Sequence, residues 1–303
     1  MLAMTIPEEA FQKYVKAGRI AAKVREHMRQ MVSEGMRVID ICEKAESLTR
    51  ENGGKPAFPC NVSINEAAAH YTSPPGDEKV IPEKSIVKVD VGVHVDGYIA
   101  DTAVTVCFNP EYENLVRAAE DALETAIKTL RPGLSVASFG SAVQKSIKTH
   151  GLKPISNLTG HQISRYSLHA GKALPNVFHL SMSRVQIGEV FAVEPFVTVP
   201  DAAGKVIRGK EAHIFRFRKR KSLRNDYAKQ LLNYIEKNFR TLPFSKRWLK
   251  ECVPPRYFST AFSELLSSKS LMAYPVFIEA SGKPVAQAEH TVVITKDGCH
   301  VLT

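Results

Sequence analysis

Four carboxylates and one histidine stand out because each lies in an apolar, strand-like stretch. Asp90 and Asp101 fall within VKVDVGVHVDGYIADTAVTV (87–106), Glu194 in AVEPF, Glu289 in VAQAEHTVVI, and His161 follows a glycine in NLTGHQIS. Asp96-Gly97 between β-branched runs is a two-residue turn signal. With that turn, position 90 pairs with 103 and 101 lies two further along, so Asp90 and Asp101 share one face as diagonal neighbours. A three-residue loop would break this facing. Two ionised carboxylates held among Val, Ile and Ala repel and are poorly solvated, so they need a shared proton, a cation or a metal. Taken singly, each acid reads better as an exposed or hydrogen-bonded strand residue, and a lone histidine as structural. Together, an oxygen-rich set with one imidazole suits a pair of hard to borderline divalent ions, and four negative charges match two such ions.

The elements that must hold these residues recur. Thr5-Ile-Pro-Glu8 has the spacing of a capping box, and Phe11, Tyr14, Val15, Gly18, Ala21, Ala22, Met28 and Val32 follow at helical period. A second helix spans about 38–52 and ends at Gly53-Gly54. Residues 19–56 laid over 117–154 share eight identities without a gap, among them Gly35/Gly133, Gly53/Gly151 and Lys55-Pro56/Lys153-Pro154, where chance gives roughly two or three. A two-copy helix–helix–strand unit follows. The hairpin then corresponds to a strand over 186–199 carrying Glu194, and site residues from two pseudo-equivalent halves converge between them. Further strands are expected near 275–280, 285–294 and 298–302.

The net charge of +10 belongs to one segment. Between Lys205 and Met272 there are 17 Lys or Arg against 5 Asp or Glu, a balance of +12 that leaves −2 for the remainder. This stretch contains RFRKRKSLR (216–224) and helical patterns at about 226–239 and 257–268. It reads as an inserted, basic helical subdomain over 205–272, with 1–204 plus 273–303 forming the main domain. No apolar run approaches the roughly 18–20 residues that span a bilayer, and the N-terminus lacks a signal-peptide pattern. A cytoplasmic protein with no membrane contact is expected. Five scattered cysteines without a C-x-x-C pair read as reduced thiols.

The order Asp90, Asp101, GHQISRYSLHAGK, AVEPF and AQAEHT resembles the methionine aminopeptidases over about residues 8–303. AAAHYTSP around His70, the HAGK after His161 and the insertion before the last strands are similar to the type II enzymes. With no basic or zinc-binding extension ahead of the catalytic domain, the chain looks like their short archaeal form. The resemblance implies an α+β pita-bread fold, with two pseudo-symmetric αβ halves and an inserted helical subdomain. It implies Asp90, Asp101, His161, Glu194 and Glu289 as ligands of two divalent ions (Co, Mn, Fe, Zn or Ni), with Asp101 and Glu289 bridging. Glu194, His70 and His169 are the implied catalytic residues, and Phe58, His70, Leu168, His169, His213 and Tyr274 the implied substrate contacts. The implied activity is removal of the N-terminal methionine from nascent chains by a di-metal-activated water, favoured before a small second residue, in a monomer.

Two rival readings share features of this sequence. Prolidases resemble it in fold and in all five ligands, but usually carry an additional N-terminal domain. A non-catalytic ribosome- or RNA-binding relative would use the basic insertion for phosphate contacts, yet such relatives lose metal ligands and this sequence keeps all five.

Overall fold

The structure is a computed structural model that describes residues 6–303. In the first half, α1 (Glu8–Met31) and α2 (Val38–Glu51) lead to the short strands β1 (Lys55–Pro56), β2 (Asn61–Ile64) and β3 (Ala67–Ala69). The long hairpin of β4 (Ile86–Val95) and β5 (Tyr98–Cys107) follows. Thr5 of the expected capping box lies outside the described residues; α1 starts after an extended Pro7, so Glu8 opens the helix instead of standing third in it. The helix buries Ala17, Ala21, Val24 and Met28 against the hairpin. At Asp96 and Gly97, φ is 51° and 88°. Positive φ at both positions is what a type I′ turn requires. The register is the expected one, Asp90 opposite Ala103 and Gly92 opposite Asp101.

The second half repeats the first. It consists of α3 (Glu113–Thr129), α4 (Val136–Thr149), β6 (Lys153–Pro154), β7 (Thr159–Ile163), β8 (Ala173–Pro175), β9 (Val190–Val193) and β10 (Phe196–Thr198). The ends of α1 and α3, both ends of α2 and α4, and β1 and β6 are each 98 residues apart. Gly35 and Gly133 share φ of 80° and 81°, so the glycine identities mark one left-handed turn used twice. The strand expected over 186–199 is interrupted at Glu194-Pro195, because Pro195 lacks the donor that would continue the ladder.

The basic segment differs in part from its expected helical character. It opens with the twelve-residue strand β11 (Val206–Phe217), continues through α5 (Asp226–Phe239), β12 (Phe244–Ser245) and α6 (Pro255–Ser267), and returns as β13 (Leu271–Glu279). These strands form a sheet in the order β12-β11-β13-β3, which joins the segment to the first half. Its helices bury Leu231, Leu232, Ile235, Phe262 and Leu265 in a core of their own with Phe215 and Phe244. The chain ends in β14 (Val285–Gln287), β15 (His290–Ile294) and β16 (Cys299–Val301).

In the second half, β9 pairs with β7 and β15, while β10 pairs with β6 and β14. This reproduces the partners of β4, which are β2, β1 and β5. Val93 faces Pro56 and Val197 faces Pro154, which makes Glu194 the counterpart of Asp90. All five cysteines are free.

Candidate metal centre

The five sequence-predicted ligands meet where the two halves touch. Asp90 and Asp101 are diagonal on the β4–β5 pair. Glu194 lies in the break between β9 and β10, and Glu289 in the break between β14 and β15. Pairing on either side, Val193 with His290 and Phe196 with Gln287, sets the two glutamates opposite each other.

Threonine hydroxyls fasten the halves together. The Asp101 N–H donates to Thr291 Oγ1 at 2.7 Å, and that hydroxyl donates to the Asp101 carbonyl at 2.7 Å. Thr102 Oγ1 donates to the Glu289 carbonyl at 2.7 Å. The Gln287 N–H donates to Thr105 Oγ1 at 2.9 Å, and Thr105 donates to the Gln287 carbonyl at 2.6 Å.

From β7, His161 brings Nε2 to 3.4 Å from Glu194 Oε1 and 3.6 Å from Asp101 Oδ2. Ligand atoms of Asp101, His161 and Glu289 all lie within 4.8 Å of one another. Among the described residues, only two side-chain amides serve the carboxylates. Asn61 donates to Asp90 at 3.3 Å, and Gln287 donates to Glu194 at 3.4 Å and Glu289 at 3.2 Å. Asp90 Oδ1, Asp101 Oδ1 and Glu289 Oε1 are buried without a hydrogen-bond partner among the described residues.

Buried acceptors that lack donors are costly unless a cation completes them. Burial accordingly pushes all four acids up. Asp90 rises to about 7. Asp101 goes well above its ordinary value through burial and the charges of Asp90 and Glu194. Glu194 rises through burial and Asp90, and Glu289 through burial and the charges of Asp101, Glu194 and Asp90. Burial, then neighbouring His169, holds His161 well below its usual range, leaving a neutral imidazole able to ligate. Four oxygen donors and one neutral nitrogen therefore fit divalent cations on the protein's own geometry.

Phe58, Ala69, His70, Leu168, His169, Ile214, Pro243 and Tyr274 line the same cavity. His70 takes φ of 69°, a strained conformation for a non-glycine residue. Its Nδ1 lies 3.3 Å from the Pro275 carbonyl, and its ring packs on Tyr274 and Phe277. Burial, followed by His169, lowers its pKa to about 4. The His169 ring lies 4.3 Å from that of His161, centre to centre. Its loop is clipped to β7, the Ala170 N–H donating to the Gln162 carbonyl and the Gln162 N–H to the Lys172 carbonyl, at 2.7 and 2.8 Å.

His213 is not in this cavity. Strand alternation gives Ile214 the inward face and leaves His213 on the other, edge-on to Tyr71 with ring centres 5.5 Å apart and 3.2 Å from Glu211. Asn61, Ala69, Gln287, Ile214 and Pro243 are site residues that sequence reasoning missed. Gln287 had a usable signal, standing two residues before Glu289.

Residues 12–296 match the model of metallopeptidase family M24. The methionine aminopeptidase of Methanothermobacter thermautotrophicus is 42% identical over 295 residues, covering 96% of this chain and 98% of its own. Among solved structures, a thermophilic Arx1 superposes with a TM-score of 0.84 at 20% identity, over 98% of this chain and 91% of that one. The methionine aminopeptidase of Thermotoga maritima superposes with a TM-score of 0.71 at 23% identity, over 100% and 99%. These two structural likenesses concern the fold.

Proposed function

The chain belongs to metallopeptidase family M24 and has its pita-bread fold, and from that premise we propose that it removes the N-terminal methionine from nascent polypeptides. The observation that carries this reading is the convergence of five candidate ligands in one cavity with unpartnered buried oxygens, in a chain alike over nearly its whole length to methionine aminopeptidases.

Asp90, Asp101, His161, Glu194 and Glu289 would hold two divalent ions. The donor set suits Co, Mn, Fe, Zn or Ni. When bound, the ions supply a water acidic enough to ionise near neutral pH and polarise the scissile carbonyl. Glu194 takes the water proton on its carboxylate and delivers it to the leaving amine. The Pro275 carbonyl can only accept, so His70 carries its hydrogen on Nδ1 and presents a bare Nε2 that can accept the scissile N–H. His169, kept neutral by burial, has a ring N–H to donate to the developing oxyanion. Phe58, Leu168, Ile214, Pro243 and Tyr274 form the methionine pocket, and bulk at the second residue is rejected sterically.

We place the enzyme in the cytoplasm as a monomer; no described helix is long and apolar enough to cross a membrane. Arg218, Lys219, Lys221 and Arg224 are exposed and offer a contact to ribosomal RNA. Neutralising Arg218, Lys219, Arg220 and Lys221 should weaken low-salt ribosome co-sedimentation, and unchanged binding would refute that contact.

The activity is tested by assaying Met-Ala-Ser and a Xaa-Pro dipeptide with each metal, with Asp101→Asn as control. Metal-dependent release of methionine, lost in the variant, is expected. Cleavage of the Xaa-Pro substrate alone would make the chain a prolidase, and cleavage of neither would favour the non-catalytic reading.

A further inference from the structure

One wall of the cavity is the rung formed by Ile214 on β11 and Tyr274 on β13. The next rung on the same face, about 7 Å further along the strand, pairs Arg216 with Met272. Exposure grows in this direction: Ile214 is buried, Arg216 half-buried and Arg218 exposed. Arg216 therefore stands on the outward side of the methionine pocket, at its mouth. Its positive charge is felt inside, since it counteracts the effect of burial on Tyr274.

Arg216 is also unsatisfied. Among the described residues, its buried Nε has no hydrogen-bond partner and no carboxylate lies within ion-pair distance of its guanidinium. A guanidinium held this way at the rim of a peptide-binding cavity presents a planar set of donors to whatever enters.

We propose that Arg216 is a specificity-determining residue that binds a carboxylate carried by the peptide on the C-terminal side of the scissile bond. The inference rests on the aminopeptidase reading, in which His169 faces the scissile carbonyl. An extended peptide advances roughly 3.3–3.6 Å per residue, so a carboxylate on the second or third residue reaches the distance of one strand rung. That carboxylate is either an acidic side chain or the free C-terminus of a short peptide.

Two matched pairs separate these sources: Met-Ala-Asp-Ser-amide against Met-Ala-Asn-Ser-amide, and Met-Ala-Ser against its C-terminal amide. For the wild-type, metal-loaded enzyme at low salt, the charged member of at least one pair should have the higher kcat/KM by about 3- to 30-fold, mainly through KM. The pair that responds identifies the source. In Arg216→Met both ratios should fall to about one, and Arg216→Lys should keep part of the preference. Because each ratio is internal to one protein, a partly misfolded variant cannot imitate the loss. In the wild type, 0.5 M salt should shrink the ratio independently of any substitution. Wild-type ratios near one, or a preference that survives in Arg216→Met, would overturn the proposal. No methionine release from any of the four peptides would instead remove the aminopeptidase reading and the subsite with it.

Discussion

At the scale of single residues, the site inverts the usual pH behaviour of carboxylates. An acid whose folded pKa lies above its unfolded value contributes stability that is present below the unfolded pKa and lost as pH rises through the folded one. Asp90, moved from 3.8 to about 7, and the three other raised acids place that loss between about pH 4 and 7 and beyond. The metal-free protein should therefore melt at lower temperature at pH 8 than at pH 5. Metal binding drives those protons off, so each proton released should raise affinity about tenfold per pH unit. Calorimetry in buffers of different ionisation enthalpy counts the protons. A binding constant flat from pH 6 to 8 would contradict this account of the orphaned oxygens. That Asp90, Asp101, His161, Glu194 and Glu289 would meet was readable from sequence, because acids in apolar strands demand a partner and the resemblance named the same five. Asn61 was not, since a strand amide carries no such demand, and Gln287 was marked only by its spacing from Glu289. His213 came from the resemblance alone, and it is its neighbour Ile214 that lines the cavity, on a strand whose register against β13 shifts between Ala212 and Ile214; an irregular ladder leaves no trace in composition.

At the scale of elements, the β4–β5 hairpin positions more than two ligands. Gly92 lies opposite Asp101, and a Cβ there would stand 2.1 Å from Cε1 of Phe58. The glycine is thus what lets the Phe58 ring lie flat on β4 while lining the cavity. Gly92→Ala should displace that ring into the methionine pocket, costing about 1–3 kcal/mol as overpacking does. It should raise KM for a methionyl peptide while leaving metal affinity close to wild type. Adding Phe58→Leu should restore part of the stability. An unchanged KM in Gly92→Ala would mean that the ring has room to move elsewhere. The hairpin itself was legible to the register, because turn chemistry and alternation are both local. The breaks at Glu194-Pro195 and Ala288-Glu289 were only half visible, since the second half reads as one strand until Pro195 is weighed. Strand β11 was hidden because VIRGKEAHIFRF places charges on both faces, and only pairing with β13 makes it a strand.

At the scale of the whole molecule, the 98-residue repeat predicted two halves and where they converge, because the turns that need left-handed glycines recur with the helices they end. It carried no information on what joins the basic segment to them. Beside the pairing of β13 with β3, that joint contains a buried ion pair. Arg247 donates to both Glu46 oxygens at 2.7 and 3.1 Å and to the Ser73 carbonyl at 2.7 Å, and Trp248 donates to Glu46 at 2.7 Å. The two charged side chains are only 2% and 4% exposed. The pair therefore locks the turn between α5 and α6 onto α2 and onto the segment just after His70. A buried pair adds little net stability over apolar residues of similar volume, but removing one partner strands the other charge. Arg247→Met should therefore cost about 3–5 kcal/mol in denaturant unfolding. Glu46→Leu combined with Arg247→Met should recover most of it. The double variant still lacks the donor to Ser73, so its kcat should stay below wild type even where its stability is regained. A single variant within about 1 kcal/mol of wild type would show that solvent reaches Glu46 and that the helical segment is held by its apolar contacts alone.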